Sequence, residues 1–128
     1  MKRSMGEELT VTASDGHTLG AYRASPGSAP RGGIIVIQEI FGVNMHIREL
    51  ADSFAAEGYE AIAPALYDRS SQKNVQLDYE LEDIEFGRRL RDEFSWDDSM
   101  KDIEAVKKLL VEANRNIGLV GYCWGGTI

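Results

Sequence analysis

The 128-residue sequence has few residues of the types that build disulfides, metal centres or proline-rich fibres. It contains a single cysteine, which excludes an internal disulfide and a multi-cysteine metal site. Its two histidines, His17 and His46, stand far apart and lack the spacing of metal ligands. Three prolines leave no room for a proline-rich fibre. We therefore expect neither a metal nor a cofactor.

Long apolar runs and a basic charge balance are also missing. No segment approaches the roughly 20 consecutive apolar residues that cross a membrane, and no apolar stretch follows Lys2 and Arg3 as it would in a secretory signal. The net charge of -7 argues against binding of nucleic acid, because a phosphate backbone favours a basic surface. We expect a globular protein of the cytoplasm without membrane or nucleic-acid partners.

What is present is the apolar patterning of one α/β unit that occupies residues 1–128. Asp15-Gly16 predicts a hairpin turn between two short strands. The predicted elements, in order, are strands at 9–13 and 18–22, a buried strand at 33–38, a helix at 45–57, a strand at 59–63, a polar helix within 68–97, a helix at 98–113 and a buried strand at 117–120. This order predicts a mixed sheet that becomes parallel, with crossover helices.

Several polar and aromatic side chains have positions that predict structural roles. Asn44 is expected to cap the helix that follows it, and His46 is expected on the surface of that helix. Phe94 and Trp96 could line a pocket, but packing in the core is the preferred interpretation. The arginines of the polar helix alternate with acidic residues, which predicts a solvated face: they are Arg88, Arg89 and Arg91.

The main chemical signal is Gly121-Tyr-Cys-Trp-Gly125, directly after an apolar strand. A strand followed by a sharp turn with flanking glycines is typical of a nucleophile elbow, which presents its central residue at the carboxyl end of a sheet. The N–H groups of a helix that starts here would favour the thiolate and lower the thiol pKa. The pattern predicts Cys123 as a nucleophile, with a small buried structural cysteine as the alternative.

Four blocks of the sequence, in the same order, resemble the dienelactone hydrolase family: residues 14–18, 33–44, 59–67 and 120–126. The stretch 68–97 matches poorly. The resemblance implies an α/β-hydrolase fold with a mixed, mostly parallel sheet and crossover helices, of which this chain is the N-terminal part. It also implies hydrolysis of a small ester or lactone, of the dienelactone type, through a thioester on Cys123.

The resemblance assigns further roles around the nucleophile. It implies that Glu39 lies beside Cys123 and takes part in switching the thiol between resting and activated states. It also implies that the backbone N–H groups of Ile40 and Trp124 form an oxyanion hole. From the residues alone, a carboxylate at the end of a buried strand is unusual unless it is paired. An exposed glutamate that caps the loop is the alternative for Glu39.

The sequence has no acid and histidine after Cys123, where α/β-hydrolases carry the partners of the nucleophile. Both histidines precede Cys123, so neither is a candidate base. We therefore expect a truncated hydrolase that gives no steady turnover alone and whose uncovered sheet promotes self-association.

The rival hypothesis is a non-catalytic α/β fragment or interaction module with a structural Cys123. A dinucleotide site at the turn after Val120 is disfavoured, because the spacing is not Gly-x-Gly-x-x-Gly and because Tyr122 and Trp124 are bulky.

Overall fold

The computed structural model describes residues 6–113 and 116–121, which form a five-stranded sheet with helices on both faces. The elements are β1 (Gly6–Thr12), β2 (Thr18–Ala24), β3 (Gly33–Ile37), α1 (Met45–Ala56), β4 (Glu60–Pro64), a 3-10 helix (Leu66–Arg69), α2 (Leu81–Arg91), α3 (Trp96–Ala113) and β5 (Ile117–Gly121). The predicted hairpin, the two crossover helices and the α/β class are confirmed.

The sheet has the strand order β1-β2-β4-β3-β5. Its first two pairings, β1 with β2 and β2 with β4, are antiparallel, whereas β3 pairs in parallel with both β4 and β5. The sheet is therefore mixed, and its parallel part is the group β4-β3-β5. The chain leaves β3 for β4 on one side and returns to β5 on the other, so the strand order reverses at β3. In open α/β sheets this reversal is where ligands bind, beyond the carboxyl ends of the strands.

Side chains of β3 alternate between two hydrophobic layers, as the two-residue period of a strand requires. Ile35 and Ile37 pack with α3 in one layer, and Val36 packs with α1 in the other. The apolar run that the sequence shows before Gln38 in the predicted strand at 33–38 is explained by these two covered faces. No helix in the described part of the chain has the length and the apolar character of a membrane-spanning segment.

The start of α1 follows its predicted capping. The side chain of Asn44 accepts a hydrogen bond from the N–H of Ile47 at 3.3 Å, which satisfies one of the free donors of the first turn. His46 is exposed, as predicted. The helix ends at Ala56, and Gly58 follows with a φ of 97°, a left-handed conformation that is typical of a glycine just beyond a helix end.

The predicted start and burial of α3 need correction. The helix begins at Trp96, because Ser95 caps it: its hydroxyl accepts a hydrogen bond from the N–H of Asp98 at 3.2 Å. Trp96 is 52% exposed, so the predicted core packing is wrong for this residue, while Phe94 does pack against the core. Met100, an apolar residue near the start of this helix, is also 40% exposed.

Two strands also differ from their predictions. β3 ends at Ile37, one residue early, and the side chain of Gln38 makes the next contacts. β5 was predicted to be buried, but it lies at the edge of the described sheet and its Leu119 is 53% exposed. The polar helix predicted within 68–97 is α2, which is shorter than that range.

Candidate functional site

The carboxyl ends of β3 and β5 lie side by side at the reversal of the strand order. Ile37 of β3 pairs with Gly121 of β5, and neighbouring strands stand about 4.8 Å apart. Glu39 comes two residues after Ile37, and Cys123 comes two residues after Gly121. Cys123 and Trp124 lie outside the described residues, so the site can be built only from the β3 side.

A tight turn follows β3, and the carbonyl of Glu39 is its centre. The Gln38 side chain donates from Nε2 to the Glu39 oxygen at 3.2 Å, and the N–H of Gly42 donates to the same oxygen at 3.1 Å. The Oε1 atom of the same Gln38 amide accepts a hydrogen bond from the N–H of Leu66 at 2.9 Å. Gln38 is fully buried. Its side chain therefore ties the turn to the 3-10 helix that follows β4.

Glu39 and Ile40 are the two predicted site residues that the structure describes. The Glu39 side chain is half-buried, and its carboxylate makes no hydrogen bond or ion pair with any other residue of the described ranges. The Ile40 side chain is buried, while its N–H donates no hydrogen bond within those ranges. Directly after the end of β3, the Glu39 carboxylate and the Ile40 N–H thus have no hydrogen-bond partner among the described residues.

Two glycines allow other segments to close on this turn. Gly42 has a φ of 81°, and a Cβ built on it would stand closer than 3.0 Å to the carbonyl oxygen of Val75. A Cβ on Gly87 of α2 would stand equally close to the carbonyl oxygen of Ile40. Sequence reasoning missed Gly87, although a glycine inside a helix is itself a signal of close approach.

The loop before α2 is bound to the same turn. The N–H of Leu77 donates to the carbonyl of Phe41 at 2.8 Å, and the Asn44 side chain donates to the carbonyl of Leu77 at 3.0 Å. The rings of Phe41 and Tyr79 meet edge to face, with 4.5 Å between centroids. Asn44 therefore does more than cap α1, since it also holds this loop against the turn after β3.

Sequence reasoning also missed an ionic cluster on the other side of the 3-10 helix. Arg69 forms two hydrogen bonds with each of two aspartates, Asp15 at 2.8 and 3.0 Å and Asp102 at 2.9 and 3.0 Å. Asp102 lies on the buried face of α3 and is fully buried. Its helical spacing from Val106 could have predicted that burial, because residues four apart share a face.

The cluster shifts the pKa values of its members in opposite directions. Hydrogen bonding to Arg69 lowers the pKa of Asp15. Burial raises the pKa of Asp102, and the bonds to Arg69 oppose that rise. The pKa of Asp98 is lowered, chiefly by its hydrogen bond from the Ser95 N–H. The bonds of both lowered aspartates therefore contribute to stability in their ionised form.

Stability is accordingly expected to fall as the pH drops below the ordinary aspartate value of 3.8. A carboxyl group whose pKa is lowered in the folded state stabilises the protein fully above its ordinary pKa, and this contribution is lost as the group takes up a proton. Asp102, whose folded-state pKa is raised, contributes to stability with the opposite dependence on pH. Asp15→Asn should reduce the slope of unfolding free energy against pH in this range. Asp97→Asn, an exposed control of equal charge change, should not. Urea titrations over the acid range measure both, and equal slopes in Asp15→Asn and wild type would contradict the assignment.

The remaining predicted polar groups lie away from the turn. Arg88 and Arg89 are exposed and Arg91 is half-exposed, so the predicted solvated face is confirmed. Phe94 and Trp96 both line a cavity of about 250 Å³ between α2 and α3. His17 lies in the hairpin beside Asp15, whose carboxylate accepts its backbone N–H at 3.3 Å. Among residues 6–113 and 116–121, no three His, Cys, Asp or Glu side chains gather as metal ligands would.

Comparison with known proteins agrees with this architecture. A carboxymethylenebutenolidase of Pseudomonas putida is 34% identical over 125 residues, which cover 95% of this chain and 53% of that protein. A Synechocystis sp. protein provisionally named a carboxymethylenebutenolidase is 44% identical over 99 residues, 74% of this chain and 40% of its own length. The chain spans about half the length of the curated relatives it matches.

Solved structures and a sequence model of a whole family point to the same kind of protein as these relatives. A Klebsiella pneumoniae protein provisionally named a dienelactone hydrolase superposes with a TM-score of 0.72 at 32% identity, covering 94% of this chain and 51% of that one. An esterase of Pyrococcus furiosus, at 16% identity and a TM-score of 0.64, shares the fold; the match covers 94% of this chain and 41% of that one. The sequence model of the dienelactone hydrolase family matches residues 19–128. The chain belongs to the dienelactone hydrolase family.

Proposed function

We propose that this chain carries the nucleophile and the oxyanion hole of a hydrolase that acts on small esters or lactones of the dienelactone type. One observation carries the proposal: in a chain of this family, Ile37 pairs with Gly121 in parallel register. Glu39 and Ile40 therefore follow one strand end while Cys123 follows its neighbour. The relatives' names, carboxymethylenebutenolidase and dienelactone hydrolase, support a lactone as the substrate class.

The proposed reaction has two covalent steps. The Cys123 thiolate adds to the carbonyl carbon, the carbonyl oxygen takes the negative charge, and the ester C–O bond breaks to leave a thioester. The leaving oxygen takes a proton from solvent water. Water then attacks the thioester and releases a carboxylic acid together with the free thiol.

The N–H groups of Ile40 and Trp124 would bind the oxygen that becomes negative in both steps. The Ile40 N–H supports this role, since it has no acceptor within the described residues. One such donor is typically worth about 10²–10³ in rate. The second step also needs a base, and His17 and His46 both precede Cys123 in the sequence. We therefore assign acylation, and not steady turnover, to this chain alone.

Glu39 is proposed to raise the pKa of the Cys123 thiol, because a nearby carboxylate disfavours the thiolate. Since Cys123 is the single cysteine, alkylation by iodoacetamide measures this thiol alone. The N–H groups of a helix that starts at Cys123 would lower the thiol pKa by more than Glu39 raises it. We therefore expect the midpoint of the alkylation rate against pH to lie below about 8.5, the pKa of a free cysteine. Glu39→Gln should move this midpoint further down.

Glu49→Gln is the matched control for this measurement, since Glu49 is an exposed glutamate on α1. It makes the same change in charge and should leave the midpoint where it is in the wild type. A thiol that is inert at every pH would favour the structural role of Cys123 instead. Equal midpoints in Glu39→Gln and Glu49→Gln would remove Glu39 from the site.

A further inference from the structure

We infer that Gln38 is a positioning residue that fixes the direction of the Ile40 N–H, and this inference rests on the proposed function. Gln38 does not reach the substrate in this account. It acts through the peptide group that joins Glu39 to Ile40. The carbonyl oxygen of that group is the one that its side-chain amide binds.

The orientation of the Gln38 amide follows from its neighbours. The backbone N–H of Leu66, 2.9 Å away, can only donate, so the atom that it meets must be the amide oxygen. The amide nitrogen is then the atom that faces the Glu39 carbonyl at 3.2 Å. Gln38 is fully buried, so its amide has no bulk water as an alternative partner.

The peptide group between Glu39 and Ile40 is planar, and its C=O and N–H point in opposite directions. Two donors hold the oxygen, the Gln38 Nε2 and the Gly42 N–H at 3.1 Å. A rotation of the plane would break both bonds. The N–H on the opposite side is therefore held in one direction, and it has no acceptor within the described part of the chain.

This arrangement meets the requirement for an oxyanion donor, which must be oriented before the charge develops. Loss of a complete donor typically slows the step by about 10²–10³. Loss of one of two bonds that orient the donor should have a smaller effect, and we expect about a tenfold slowing of acylation. A residue that only stabilised the fold would have no reason to affect acylation more than other reactions of the same thiol.

The test compares two reactions of Cys123. Acylation by p-nitrophenyl acetate passes through an oxyanion, whereas alkylation by iodoacetamide does not. Gln38→Glu keeps an oxygen for the Leu66 N–H but removes the donor to Glu39, and Gln38→Met removes both contacts at similar volume. We expect both variants to lower the ratio of acylation rate to alkylation rate about tenfold. Gln72→Glu and Gln72→Met, at an exposed glutamine, are the matched controls and should keep the wild-type ratio.

The possible outcomes separate this inference from the function on which it rests. A wild-type ratio in a folded Gln38→Glu protein overturns the inference, while acylation of the wild type upholds the proposed nucleophile. A lowered ratio in Gln38→Met alone also overturns it, because the Leu66 contact would then be the one that matters. A wild-type Cys123 that alkylates but is never acylated overturns the proposed function and the inference together.

Discussion

Replacing Arg69 by methionine is expected to lower the free energy of unfolding by about 3–5 kcal/mol, the range for removing one partner of a buried ion pair. Asp102 is fully buried, and its two hydrogen bonds from Arg69, at 2.9 and 3.0 Å, are its described ion-pair contacts. Methionine matches much of the arginine's length but leaves Asp102 without a cation. An uncompensated carboxylate in the core is the main source of the expected loss.

The expected loss should depend on pH with a definite sign. Without Arg69, the largest opposing interaction is lost, so burial raises the pKa of Asp102 further above the ordinary value. A carboxyl group with a raised folded-state pKa stabilises the protein when protonated and loses that contribution as the pH rises. The deficit of Arg69→Met should therefore be smaller in acid than at neutral pH.

Two further variants locate the effect in the buried pair. The double variant Arg69→Met with Asp102→Leu removes both charges, and we expect it to regain much of the lost stability. Asp15→Asn removes only the more exposed partner, so its effect at neutral pH should be much smaller than that of Arg69→Met. Urea-induced unfolding measures all three. A loss below about 1 kcal/mol in Arg69→Met would show that the cluster does not need its cation.

The ionic cluster and the proposed site share one short segment. Arg69 ends the 3-10 helix, and Leu66 begins it and donates its N–H to Gln38. Gln38 in turn binds the carbonyl of Glu39. The four residues of this 3-10 helix therefore connect the hairpin and α3, which Arg69 binds, to the turn after β3, which Gln38 binds.

Local signals in the sequence predicted the elements that local interactions decide. The Asp15-Gly16 turn and the Asn44 cap each depend on residues within a few positions, and both were found. The strand order could not be found this way, because the pairing of β3 with β5 joins segments on either side of three α-helices. The burial of β5 was wrong for a related reason: an apolar composition alone does not say which neighbours cover a strand.

The candidate site was predicted in part. The block after β3 identified Glu39 and Ile40, and the structure places both directly beyond the end of that strand. It did not identify the contacts that hold them. Gln38 was predicted as a strand residue, because its role depends on a contact with Leu66, which is distant in the sequence. Gly87 was missed because its close approach to Ile40 is a tertiary contact made by α2. Residues that position a site are therefore harder to predict than residues that compose its motif.

The turn itself provides the second large expected effect, the substitution Gly42→Ala. Its φ of 81° lies in the left-handed region, where a Cβ costs about 1–2 kcal/mol. The new Cβ would also overlap the carbonyl oxygen of Val75, and overlap of this kind adds about 1–3 kcal/mol. We expect a total loss of about 2–5 kcal/mol in the free energy of unfolding.

Gly16→Ala is the matched control, because Gly16 has a similar φ of 88° but no heavy atom within 4 Å of its Cβ position. Its expected loss is the backbone part alone, about 1–2 kcal/mol. The overlap at Gly42 can be relieved only if the turn or the Val75 segment moves, and movement of the turn would pull the Gly42 N–H from the Glu39 carbonyl. Gly42→Ala should therefore also slow acylation of Cys123 relative to its alkylation, while Gly16→Ala should not. Equal losses of stability in the two variants, with equal rate ratios, would mean that the loop before α2 does not hold the turn.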